Sequence, residues 1–200
     1  NKLRGYKVSE MGDVVFGMLN TIGLKSNFAS IIYICGHGSE SLNNPHEAAH
    51  DCGACSGGRG APNAKLFAIM ANRPDVRAYI EETYKIMIPT TTIFVGGYHN
   101  TCNDDLLIFN RESIPKEILE YLKNLFTKVA MLDAKERVRK FENVSLDITE
   151  ESSFHHVQVR AFNLAQPRPE YGHATNAICI VGPRKKNRDI FFDRRAFLVS

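Results

Sequence analysis

Residues 31–55 hold the densest group of metal-binding side chains in the sequence. This segment contains three histidines and three cysteines, and it begins with a short apolar run. Imidazole and thiolate are ligands that Zn²⁺ prefers, and a catalytic zinc ion takes three protein ligands and keeps one open position for water or substrate. The residue types therefore predict a zinc site in this part of the chain.

Residues 46–50 match the HExxH pattern, in which two histidines one helical turn apart bind zinc and the glutamate is the general base of a metalloprotease. Pro45 stands directly before the pattern and Gly53 follows it closely, which limits the helix from His46 to Asp51 to about two turns. Zincins place this pair inside a longer helix. The context disfavours a metalloprotease, which stays an alternative.

Cys52 and Cys55 form a CxxC pair, a spacing typical of redox sites and zinc knuckles. The sequence contains no second CxxC that would complete a four-cysteine site. A structural zinc ion is therefore a second open interpretation.

Composition limits the function classes. The chain has 200 residues, of which 44% are hydrophobic, enough for one globular domain with an apolar core. A net charge of +3 on 24% charged residues is close to balance and disfavours nucleic-acid binding. No apolar stretch approaches the roughly 18–20 residues of a membrane-spanning helix, and no signal peptide is evident. Five cysteines without a disulfide framework favour a reducing cytoplasm.

Hydrophobic periodicity predicts an α/β fold. Helices are expected at residues 8–19, 64–72, 75–80 and 115–141, and strands at 31–35, 90–95, 157–162, 177–181 and 195–199. Gly36 and Gly38 flank His37, so we expect a sharp turn that presents this imidazole just past the end of the first strand.

Several motifs together resemble the DabA family, large bacterial proteins described as the zinc-containing subunit of an energy-coupled inorganic carbon pump. A Gly-His pair after a strand, followed by Asp-Cys-Gly, also resembles the zinc-binding segment of β-class carbonic anhydrases. The matching motifs are GHGS (36–39), NNPHE (43–47), DCGAC (51–55), PNA (62–64), FVGGYHNTC (94–102) and RPEYG (168–172).

The resemblance implies a β-carbonic-anhydrase-like sheet flanked by helices, incomplete in this chain, with residues 1–200 a single fragment of a larger zinc-binding protein. Family members bind zinc through two cysteines, an aspartate and a histidine, and His37 and Cys52 match two of these ligands. The other two belong to a Cys-x-Asp-x-Arg motif. Cys102 and Asp104 match its first part, but Leu106 replaces the arginine. The missing Cys and Asp ligands are therefore expected outside this chain, upstream.

The implied function is hydration of CO₂ to bicarbonate within an inorganic carbon uptake system. The implied partner is a membrane-embedded, antiporter-like DabB-type subunit, and the implied location is the cytoplasmic face of the bacterial inner membrane, as a peripheral protein. A structural-zinc interaction subunit without catalysis is the alternative.

Other histidines and cysteines have weaker signals. Asp51 and Cys55 are candidates for contacts around the metal ligands or for local structure. His99 follows a predicted strand, where either a cleft or a turn residue is expected. We expect Cys35 and Cys179 to pack in the core and Cys102 to be a bystander. No spacing gives a role to His155, His156 and His173.

Overall fold

Five α-helices and two small β-sheets make up the described part of the chain. The structure is a computed structural model, and it describes residues 5–40, 42, 51, 57–166, 178–192 and 196–199. The helices are α1 (Val8–Thr21), α2 (Ala61–Ala71), α3 (Pro74–Tyr84), α4 (Lys116–Val138) and α5 (Glu150–Ala161). The strands are β1 (Ile31–Gly38), β2 (Ile93–Asn100), β3 (Leu106–Ile108), β4 (Ile178–Ile180) and β5 (Ala196–Val199). Short 3₁₀ turns cover Arg111–Ser113 and Arg184–Lys186.

The larger sheet is mixed and has the order β1-β2-β3. β1 and β2 are parallel, and the connection between them contains α2 and α3. β3 follows β2 after a tight turn and pairs with it antiparallel. β4 and β5 form a separate parallel pair. The predicted α/β class is confirmed, and so are the two predicted strands near the end of the chain.

Apolar clusters cover both faces of the larger sheet. On one face Ile32, Ile34 and Phe94 pack against α1, α2 and α3. On the other face, Tyr33 and Val95 pack against the first half of α4. Since side chains alternate along a strand, residues 33, 35 and 37 of β1 belong to the face that carries α4.

The prediction of a strand at residues 157–162 is wrong, because these residues lie in or directly after α5. Thr149 caps the helix, and its hydroxyl accepts a hydrogen bond of 3.1 Å from the backbone N–H of Ser152. The valines at positions 157 and 159 alternate with polar residues, a pattern that is typical of a strand. In the helix Val157 is fully buried, whereas Val159 is 50% exposed. The buried residues Ser153, Val157 and Ala161 have the four-residue spacing of a helix face.

The predicted helix at residues 115–141 is confirmed, but its predicted apolar face is only partly buried. Leu122 is in the core, whereas Leu125, Val129 and Leu132 are between 41% and 46% exposed. The second half of α4 instead buries Ala134 and Val138 against Val157 of α5. The short helix predicted after Pro45 lies outside the described residues. No helix among the described residues is long and apolar enough to cross a membrane.

Candidate functional site

His37 lies inside the last part of β1 rather than in a turn after it. The sequence predicts a strand that stops at Cys35, but β1 continues to Gly38 and stays paired with β2 throughout. The strand contains glycines at this point because the backbone of Gly60 approaches it closely. A Cβ atom on Gly36 would lie 2.4 Å from the carbonyl of Gly60, and the Gly60 N–H donates a 2.8 Å hydrogen bond to the carbonyl of His37. The backbone of His37 is therefore fixed while its side chain is exposed.

His99 lies directly beside His37 on the neighbouring strand. The two histidines are Cα partners in the parallel pairing of β1 and β2. Paired residues project to the same face of a sheet, so both imidazoles lie on the face that carries α4. The sequence left open whether His99 is a cleft or a turn residue. The structure places it in a strand, with 30% of its side chain exposed.

A buried ion pair lies behind His99. Arg137 of α4 donates a hydrogen bond of 2.6 Å through Nη2 to Oδ2 of Asp104. The side chains of Arg137 and Asp104 are only 3% and 2% exposed. The other carboxylate oxygen, Oδ1, lies 3.1 Å from Nε2 of His99. A buried charge pair is tolerated only when hydrogen bonds satisfy it, and here the carboxylate has a partner on each oxygen.

The protonation of Asp104 is set by opposing effects. Burial raises the pKa of the Asp104 carboxyl above its usual range and the nearby Asp133 carboxylate adds to this effect, while the hydrogen bond with His99 and the positive charge of Arg137 act in the opposite direction. Arg137 also donates to the carbonyls of Thr101 and Cys102, at 2.8 Å and 3.2 Å. The guanidinium group thus fixes the whole turn that follows β2.

The turn after β2 also holds the residues that follow His37. The backbone N–H and the hydroxyl of Thr101 both donate to the carbonyl of Gly38, at 2.8 Å and 3.1 Å. The side-chain oxygen of Asn100 accepts a hydrogen bond from the Glu40 N–H at 3.0 Å, and its amide nitrogen donates to the Glu40 carbonyl at 3.2 Å. The end of β1 is therefore bound to the turn after β2.

Asp51 connects the DCGAC motif to the GHGS motif. Its Oδ1 accepts a hydrogen bond of 2.6 Å from the backbone N–H of Ser39. Ser39 is fully buried. Ser39 stands two residues after His37, and Cys52 is the residue after Asp51. The predicted ligand Cys52 and the candidate Cys55 lie outside the described residues, as do His46, Glu47 and His50. The hydrogen bond to Ser39 is thus made by Asp51, the residue directly before the predicted ligand Cys52.

Asp51→Ala is expected to lower the free energy of unfolding by about 1.5–3 kcal/mol, the usual contribution of a hydrogen bond to a charged group. The substitution leaves the buried N–H of Ser39 without its charged acceptor. Urea denaturation measures the effect. Asp147→Ala is the control because Asp147 is exposed, and a loss no larger than that of the control would contradict the structural importance of this bond.

Two cysteines differ from their predicted environments. Cys35 and Cys179 are both exposed, so the prediction that they pack in the core is wrong. Cys35 projects from β1 on the same face as His37, two residues away. Desolvation by neighbouring protein atoms raises the pKa of its thiol, which disfavours the thiolate form that binds metals. Cys102 is fully buried in the turn after β2.

His155 and His156 lie on α5, and His155 also lines an open groove with Asn103 and Asp105 of the turn after β2. Together with Glu142 and Arg160 they line a separate cavity of about 610 Å³. His156 stacks on Phe141 with ring centroids 6.1 Å apart, and the guanidinium of Arg160 lies 4.2 Å from the centroid of the same ring. These contacts give His156 a packing role, whereas the side chain of His155 is exposed. His173 lies outside the described residues.

An apolar groove leads along β1 to His37. It has a volume of about 420 Å³ and lies between α1 and α2, on the side of β1 that has no neighbouring strand among the described residues. Its lining is mainly apolar and includes Val14, Met18, Ile34, Leu66, Phe67 and Met70, and its polar end includes His37 and Asn63. Within the described residues, no group of three or more His, Cys, Asp or Glu side chains is arranged to hold a metal ion.

Comparison with known proteins identifies the family. The model of the family described as "Probable inorganic carbon transporter subunit DabA" matches residues 1–200. The chain belongs to the DabA family. It is 48% identical over 199 residues to the "Probable inorganic carbon transporter subunit DabA 2" of Rhodopirellula baltica, and this alignment covers 98% of the chain but 18% of that relative.

Other DabA proteins give the same result. The "Probable inorganic carbon transporter subunit DabA" of Azotobacter vinelandii is 44% identical, over 98% of this chain and 23% of its own length. The protein of that name from Parafrankia sp. is 42% identical, over 98% of this chain and 18% of its own length. The chain thus spans about a fifth of the length of these DabA relatives. No solved structure matches it.

Proposed function

We propose that this DabA chain is part of the zinc-binding subunit of an inorganic carbon uptake system, and that His37 and Cys52 are two of the zinc ligands. The observation that carries this proposal is the 2.6 Å hydrogen bond between Asp51 and the backbone N–H of Ser39. It brings together the two motifs that supply the ligands, although they are separated by an insertion in the sequence. The relatives' printed names support the role in inorganic carbon transport.

The donor set fits a zinc ion. His37 offers an exposed imidazole on a backbone held by Gly60, and a cysteine thiolate is a ligand that zinc prefers. The proposed remaining ligands, a cysteine and an aspartate, lie outside this chain. When bound, zinc lowers the pKa of a bound water to about 7 and so supplies a nucleophile for hydration of CO₂ to bicarbonate.

The surrounding residues hold the proposed ligand segments in place. Asp51, the residue before Cys52, is hydrogen-bonded to Ser39, and the Asn100 and Thr101 contacts hold the residues after His37. Such outer contacts orient metal ligands in known sites.

The larger context is also part of the proposal. We propose that the sheet belongs to a β-carbonic-anhydrase-like fold of which residues 1–200 form one fragment. The full subunit would be peripheral, at the cytoplasmic face of the bacterial inner membrane, and would work with a membrane-embedded, antiporter-like DabB-type partner. The DabA subunit would then hydrate CO₂, and the membrane partner would supply the energy that makes the uptake one-way.

The proposal is tested by metal analysis of the full-length protein and two variants. We expect about one zinc ion per wild-type subunit, the number that a four-ligand site holds, and loss of most of this zinc in His37→Ala and in Cys52→Ala. His155→Ala and Cys179→Ala are the matched controls, because both side chains are outside the proposed site, and they should retain the metal. Full zinc retention in both ligand variants would overturn the assignment.

Function is tested with the complete two-subunit system in cells that lack carbonic anhydrase. Wild-type protein is expected to restore growth in air, and the two ligand variants are expected to fail while the controls succeed. Normal growth with a zinc-free variant would show that the metal is dispensable for carbon uptake and would reject the catalytic role.

A further inference from the structure

We propose that His99 is a further residue of this centre, where its imidazole hydrogen-bonds the inorganic carbon substrate, with Asp104 and Arg137 as its positioning residues. This inference rests on the proposed zinc site at His37. The chemical class of ligand is bicarbonate, whose hydroxyl group can donate a hydrogen bond to the imidazole.

The first argument is the alignment of the two histidines. His37 and His99 are paired in register on adjacent parallel strands, so their side chains leave the same face of the sheet as neighbours. His37 is exposed and 30% of the His99 side chain is exposed, so both imidazoles can be reached from solvent. Any molecule bound next to His37 on this face lies close to His99.

The second argument is the way His99 is held. Asp104 engages only one of its ring nitrogens, Nε2, at 3.1 Å. When a carboxylate accepts the Nε2 proton, the other nitrogen, Nδ1, is left as a hydrogen-bond acceptor for a ligand. A fixed orientation of this kind is typical of histidines that act on a metal or a substrate.

The third argument is the unusual support behind the carboxylate. Asp104 and Arg137 are buried to 2% and 3% exposure, and the guanidinium also holds the carbonyls of Thr101 and Cys102. A buried ion pair stabilises a fold little more than apolar packing would. Its specific effect here is to fix the carboxylate, and through it the ring of His99, relative to the end of β1.

The test uses full-length protein in which cobalt(II) replaces zinc, with bicarbonate as the probe. Binding of bicarbonate is followed through the visible absorption spectrum of the cobalt ion, so the readout does not depend on turnover. His99→Ala is expected to retain the metal and to need about 10- to 100-fold more bicarbonate for the same spectral change, the usual effect of losing an outer-shell partner. His155→Ala is the matched control and should titrate like the wild type.

His99→Gln covers the case in which the alanine variant fails to fold. The glutamine amide can still donate to Asp104 but offers no second ring nitrogen, so it should keep the fold and show the same weakened titration. A wild-type-like titration in a folded variant would overturn the inference, and so would metal loss from it, since His99 would then be a ligand. A wild-type protein without bound metal would reject the proposed zinc site, whereas an unchanged variant of a metal-loaded protein rejects only the role of His99.

Discussion

Replacing Arg137 by alanine is expected to lower the free energy of unfolding by about 3–5 kcal/mol, because it leaves the carboxylate of Asp104 buried without its cation. Asp104 is 2% exposed, so solvent does not screen this carboxylate in the wild-type protein. The carbonyls of Thr101 and Cys102 lose their donor in the same substitution. Removing one partner of a buried pair costs far more than the pair contributes over apolar packing.

Arg139→Ala is the matched control for this experiment. Arg139 stands two residues further along, at the end of α4, and its side chain is exposed. Its removal should change stability by no more than about 0.5 kcal/mol, as is usual for surface substitutions. Urea denaturation of both variants gives the comparison, and equal losses would mean that the buried pair does not hold the turn after β2.

Arg137→Lys separates charge from geometry. Lysine keeps a positive charge near Asp104, but an ammonium group cannot reproduce the planar fork that reaches a carboxylate and two carbonyls. We expect an intermediate loss of stability between wild type and Arg137→Ala. A loss equal to that of alanine would indicate that only the geometry matters.

Except for α5, which was predicted as a strand, the centres of the long elements could be predicted from the sequence, but the ends of β1 and β2 could not. The predicted strands stop near Cys35 and Val95 because glycines follow, and glycine normally ends a strand. In this fold the glycines serve another purpose. A Cβ atom on Gly96 would lie 2.7 Å from the carbonyl oxygen of Ala64 in α2, so the absence of side chains lets α2 pack on β1 and β2. This is a tertiary contact that local patterns do not contain.

The candidate site was predictable only to the extent that short motifs describe it. The motifs pointed to His37 and Asp51, and the structure joins their segments through Ser39. The buried pair of Asp104 and Arg137 was missed. The basic residues near the end of α4 fit a general preference for positive charge at a helix C-terminus, and nothing local separates the buried Arg137 from its exposed neighbours. Only the strand pairing places His99 next to His37.

Gly36→Ala is expected to destabilise the protein by about 2–3 kcal/mol, the upper part of the usual range for overpacking. The added Cβ atom would lie 2.4 Å from the carbonyl carbon and oxygen of Gly60 and 2.8 Å from the nitrogen of Ala61. All three are backbone atoms, so no side chain can rotate away to relieve the overlap. Either β1 or the start of α2 must shift.

Gly17→Ala is the control, and its expected effect has the opposite sign. Gly17 lies in α1 with no atom near the position of an added Cβ. Alanine there should stabilise the helix by about 0.5–1 kcal/mol. Thermal unfolding of both variants tests the pair of predictions, and a Gly36→Ala variant as stable as the wild type would show that the contact with Gly60 yields easily.

The same substitution links the fold to the proposed metal site. The Gly60 N–H donates to the carbonyl of His37, so a shift between Gly36 and Gly60 moves the backbone that carries the proposed ligand. Zinc affinity of the full-length protein should therefore fall in Gly36→Ala, by about 10- to 100-fold, as expected when the support of a metal ligand is lost. Gly17→Ala should leave it unchanged. If Gly36→Ala lost stability but kept its zinc affinity, His37 would be held in place by contacts other than the one with Gly60.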